Sequence, residues 1–131
     1  MRSVLLAALL LGALPALAQR PAADARCTGI GEDFVYDCVI RLSRGGKPLA
    51  GARVTVSADM PSMPGAHAIV PVAAAPGARA GDYSARLDLD MPGLWALRLR
   101  LAGPVNDELL LHLEFDEKKS SPPKRAARER K

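Results

Sequence analysis

Apolar and polar residues alternate with a period of two through most of the chain, which marks strands with one buried face. From Phe34 to Ser43, Phe34, Tyr36, Cys38, Ile40 and Leu42 fall on one side and Val35, Asp37, Val39, Arg41 and Ser43 on the other. Arg44-Gly45-Gly46-Lys47-Pro48 then reads as a turn. A second strand points Val54, Val56 and Ala58 inward. A short third strand is expected over Ala68 to Val72, with Ala74 to Gly81 as a loop. Tyr83, Ala85, Leu87 and Leu89 form the inward side of a fourth, which Met91-Pro92-Gly93 ends. Trp95, Leu97, Leu99 and Leu101 continue the pattern. The last strand sets Leu109, Leu111, Leu113 and Phe115 inward against Glu108, Leu110, His112 and Glu114.

Six to seven short strands separated by Gly/Pro/Asn turns predict an all-β protein, an immunoglobulin-like antiparallel β-sandwich. A small closed barrel satisfies the same periodicity. Trp95 is expected in the core. No amphipathic helix and no internal repeat is evident.

Composition changes the picture chiefly at the ends. Arg2, the apolar run Val4 to Leu14 and Ala16-Leu17-Ala18 have the form of a signal peptide over residues 1–18, cleaved to leave Gln19 first. The domain is expected over 19–117, and no later stretch is apolar enough to span a membrane. An exported product, periplasmic or secreted, follows. Cys27 and Cys38 are the only cysteines, and in an exported chain they predict one disulfide. A turn near Gly31-Glu32-Asp33 would bring them opposite each other across two strands.

The formal charge of +4 is unevenly distributed. Residues 118–131 form a basic tail, expected to be disordered, with Ser120-Ser121-Pro122-Pro123 as its linker. Without the tail and Arg2 the domain carries about −3. No aromatic residues interleave with the basic ones, so nucleic acid is not an expected partner. An envelope protein partner fits the exported setting, and the sequence leaves oligomeric state open.

Candidate chemistry concentrates in Asp59-Met60-Pro61-Ser62-Met63-Pro64-Gly65-Ala66-His67, a segment whose prolines favour a shaped loop over a ladder. If strands alternate in direction, the second and fourth run the same way and their exit loops share one end. Met60, Met63 and His67 then meet Met91 on one rim. Three thioethers and an imidazole form a soft, neutral donor set that favours Cu(I) over harder cations; packing of the methionines into the core is the alternative. Asp59, Ser62 and His67 are the residue types of a hydrolase triad but lack a nucleophile elbow, so the chain is not expected to be an enzyme.

Met60-Pro61-Ser62-Met63-Pro64-Gly65, Gly81-Asp82-Tyr83 and Met91-Pro92-Gly93-Leu94-Trp95, in that order, resemble the YtkA-like domain family, which is related to FixH-like proteins. The likeness covers roughly Leu49 to Leu101, leaving Cys27 to Leu42 outside it. It implies an immunoglobulin-like envelope domain linked to copper handling or to assembly of haem-copper oxidases, with Met60, Met63, His67 and Met91 as metal ligands. FixH-like members commonly carry a membrane anchor, whereas this chain is expected to be freely secreted after signal cleavage. A non-metal interaction module using the same loops is the other reading.

Overall fold

The computed structural model describes residues 19–123; the expected signal peptide over 1–18 and the expected tail from residue 124 onward lie outside the described residues. Every helix or strand assigned among them is a strand: β1 Ala22–Gly29, β2 Val35–Arg44, β3 Lys47–Pro48, β4 Arg53–Asp59, β5 Val72–Pro76, β6 Asp82–Asp88, β7 Gly93–Ala102, β8 Asp107–Phe115 and β9 Ser120–Ser121. Seven of these have five residues or more, and β3 and β9 are two-residue pairs that raise the count above the expected six to seven.

The strands follow the order β1-β2-β6-β5-β4-β7-β8-β9, every pairing antiparallel, with β3 on β2. Two sheets are joined on one side by β5, which pairs with β4 through Val54↔Ala74 and with β6 through Ala75↔Ser84. On the other side Thr28 bridges Lys119, and the Gly29 N–H donates to Lys118 O at 2.6 Å. The sheet therefore nearly closes into a barrel, which protects most of its strand edges.

The alternating pattern buries most of the residues it predicts: Tyr36, Cys38, Ile40 and Leu42 from β2, Val54, Val56 and Ala58 from β4, Tyr83, Ala85 and Leu87 from β6, with Leu89 just beyond it, and Trp95, Leu97, Leu99 and Leu101 from β7. It fails at the start of β2: Phe34, expected inward, lies before the strand at φ +59° and is half-buried, while Val35, expected outward, is buried. On β8 only Leu113 and Phe115 are fully buried; Leu109 and Leu111 pack against the core half-exposed, where β8 has no partner strand on its outer side. Cys27 and Cys38 are register partners 4.0 Å apart at Cα and form the disulfide. The buried Tyr83 hydroxyl donates to Leu49 O at 2.8 Å and accepts from Ala52 N–H at 3.1 Å, which pins the bend leading into β4. Gly81 lies at φ +84°, and a Cβ there would stand 2.8 Å from Leu42 O, so this turn admits only glycine.

Two further expectations need correction. The third strand runs over Val72–Pro76, not Ala68 to Val72, and takes up the first three residues of the expected loop. Proline 71 has no N–H to offer a ladder, and the segment before it contributes a bond from Ile69 N–H to Ala58 O at 3.1 Å without becoming a strand. Second, Ser120–Ser121 is not linker: it pairs with Glu114–Phe115, and Asp116 Oδ1 accepts from the N–H groups of Lys118 (2.7 Å) and Lys119 (2.8 Å) to shape the intervening turn. Those two bonds, backbone donors first, hold the Asp116 carboxyl below its ordinary pKa.

Candidate functional site

Strand direction places the site. Because β5 is antiparallel to both β4 and β6, those two strands run the same way and their exit loops leave from the same end. The loop after β4 is built by its own backbone and by Asp59. The Asp59 carboxylate accepts from Met60 N–H at 2.8 Å and from Gly65 N–H at 3.2 Å, closing the loop on itself. Met63 N–H donates to Met60 O at 3.0 Å and Ala66 N–H to Met63 O at 3.1 Å, two consecutive turns. Gly65, at φ +76°, supplies the left-handed residue within the second.

The second loop is held as firmly. Leu89 N–H donates to Phe34 O at 2.9 Å, and the indole N–H of the fully buried Trp95 donates to Met91 O at 3.1 Å. The Asp90-Met91 pair is thus fixed on both flanks by core elements.

Two contacts join these loops. Nδ1 of His67 lies 2.6 Å from Oδ2 of Asp90. The Met60 methyl carbon faces Gly93, where a Cβ would stand 3.1 Å away. Met60 is 4% exposed and belongs to the core; Met91 is half-buried against it; Met63, 36% exposed, sits in the outer part of the loop; His67 is partly buried. Met60, His67 and the Met91 turn therefore come together, while Met63 stands at the solvent side.

Asp59 and His67 do not face each other as a triad requires. Asp59 is committed to Met60 and Gly65, and His67 pairs with Asp90 instead. Among the described residues no group of three or more His, Cys, Asp or Glu side chains is arranged to hold a metal ion, so a metal at this end would rest on the thioethers. Thioether sulfurs carry no charge and suit a soft ion, and a neutral imidazole whose Nδ1–H donates to Asp90 would keep a lone pair on Nε2.

Asp90, Asp59 and Gly93 are parts of this end that the alternation did not single out. Asp59 had a signal, an Asp immediately before Met-Pro-Ser, a common way to start a turn. The stretch from Met60 to Ala78 carries His67 as its one ionisable side chain, and Val70 within it is 83% exposed. This stretch thus carries no Asp, Glu, Lys or Arg and is partly apolar, with the Asp59 and Asp90 carboxylates beside it.

No curated protein and no solved structure matches the chain. The YtkA-like family model matches residues 31–100, so its reach begins before β2 and includes the Cys38 strand that the motif resemblance left outside. The match covers more than half of the 131 residues, and the chain belongs to the YtkA-like family.

Proposed function

We propose that this domain is an exported protein of the bacterial envelope that binds a soft metal ion, Cu(I), through Met60, Met63, His67 and Met91, and serves copper handling or oxidase-related functions there. The observation that carries the reading is the junction of the two loops: His67 at 2.6 Å from Asp90, the neighbour of Met91, and Met60 against Gly93. Residues far apart in sequence thereby contribute to one soft, neutral donor set, which suits Cu(I). The disulfide fits an oxidising compartment outside the cytoplasm. The rim holds and orients the ion; no catalytic step is assigned to it.

Cu(I) titration of the folded protein against a competing chelator tests the reading. A Met60→Leu/Met63→Leu variant keeps the apolar volume while removing two sulfurs. A large loss of affinity with an unchanged unfolding transition is the expected result, and unchanged affinity in the folded variant sinks the proposal.

The exposure of Val70 and Met63 in a stretch without Asp, Glu, Lys or Arg also favours a second reading, a docking surface for an envelope protein that needs no metal. Association that survives both copper chelation and loss of the methionines would select it.

A further inference from the structure

We infer that Asp90 is the positioning residue of this site, holding His67 in one tautomer and one ring orientation; its consequence for metal binding rests on the copper reading above. The contact spans 23 positions of sequence and is the shortest hydrogen bond made by either loop, 2.6 Å between Nδ1 and Oδ2. Asp90 has no competing partner among the described hydrogen bonds, whereas the Asp59 carboxylate is taken up by Met60 and Gly65.

An ionised carboxylate has no proton to give, so Nδ1 must be the donor. In the neutral ring the second nitrogen, Nε2, then carries the lone pair, and among the described residues it has no hydrogen-bond partner. Without Asp90 the single proton is free to reside on Nε2, which would block that nitrogen as a ligand. Orientation follows from the same bond. The backbone on either side of Asp90 is anchored by Leu89 N–H to Phe34 O and by Trp95 Nε1–H to Met91 O. The backbone that carries the carboxylate is therefore a fixed reference, and the bond to Asp90 sets the ring against it. This is the arrangement by which outer carboxylates fix the histidines of metal sites, where their loss lowers metal affinity about 10–100-fold.

The test uses the full chain labelled with 15N, with Asp90→Ala and Asp90→Asn variants and a His67→Gln variant to separate the signals of His67 from those of His112. Long-range 1H–15N correlation at pH 8, without metal, reads which ring nitrogen carries the proton. Cu(I) affinity is then measured on the same samples. Expected is a protonated Nδ1 in the native chain, loss of that preference in Asp90→Ala with Cu(I) affinity reduced 10–100-fold, and partial rescue in Asp90→Asn, whose amide oxygen can still accept. All three should melt alike, since Asp90 is exposed.

A proton on Nε2 in the native chain overturns the inference whatever the metal data show. A switched tautomer with unchanged Cu(I) affinity overturns the role in binding. If no variant and not even the native chain takes up Cu(I), the copper reading fails instead, and a protonated Nδ1 that is lost in Asp90→Ala still supports the hold of Asp90 on the ring.

Discussion

The methyl end of Met60 rests on Gly93, so closely that a Cβ on the glycine would lie 3.1 Å from Met60 Cε. Gly93 also sits at φ +126°, a conformation side chains rarely adopt. Gly93→Ala should therefore destabilise the fold by about 1–3 kcal/mol through backbone strain and push Met60 from its seat. Gly65→Ala is the control: φ is +76° and nothing lies within 4 Å of its Cβ, so it carries backbone strain alone. Urea unfolding gives both costs. Disturbed Met60 methyl signals in Gly93→Ala but not in Gly65→Ala would tie the effect to the contact; equal spectra would dismiss it.

Met60 and Met63 should separate stability from binding. Met60 is buried at 4% exposure, and Met60→Ala leaves a cavity costing about 2–5 kcal/mol. Met63 is 36% exposed, and Met63→Ala should change stability by no more than about 0.5 kcal/mol. On the copper reading Met63→Ala still lowers Cu(I) affinity. A Met63→Ala variant with native stability and native affinity would leave Met63 as a simple loop residue.

This division was only partly legible in the sequence. Period-two alternation with bulky residues on one side identifies β2, β4, β6 and β7, because a strand with one buried face cannot shift register without turning that face outward. It also carried the direction argument that brings the two loops to one end. The pattern failed at Val72–Pro76 because Ala73, Ala74 and Ala75 differ in exposure and not in hydrophobicity. There the pairing partners decide, and those are distant in sequence. The half-exposed Leu109 and Leu111 reflect the unpaired outer side of β8, which no local pattern encodes. Parity did assign Leu110 to the outside, and it is 53% exposed. The Asp90–His67 bond was out of reach for a different reason: an aspartate on the outward side of a strand end is usually solvated, and only the meeting of the loops makes it a partner.

Removing the Cys27–Cys38 cross-link should loosen β1 first. Along its outer side the described hydrogen bonds of β1 are few: the Gly29 and Thr28 contacts to residues 118 and 119, Cys27 N–H to Ser120 Oγ at 2.8 Å and the Ser120 hydroxyl to Cys27 O at 3.5 Å. A Cys27→Ala/Cys38→Ala variant should lose about 2–3 kcal/mol by urea unfolding, as expected for a short closed loop. Amide exchange should accelerate most over Ala22–Gly29 and least over β7, which is paired on both sides. Uniform acceleration would mean that the bridge acts on global unfolding alone.

Alkaline pH should weaken the fold through Tyr36. Its hydroxyl donates to the backbone oxygen of Asp116, and its ring meets Phe115 edge-on at 4.9 Å between centroids. Burial first, and then the charges of Asp116 and Glu117, raise the phenol above its ordinary value of 10.0. The folded state therefore holds this proton more tightly than the unfolded chain does. Its contribution is fully present below about pH 10 and is lost as pH rises through the raised value. Stability measured by urea unfolding should accordingly fall from about pH 10 upward. Tyr36→Phe should cost about 1 kcal/mol at neutral pH, from the lost hydrogen bond, and should flatten that alkaline decline. A decline of the same steepness in Tyr36→Phe would assign the effect to other groups.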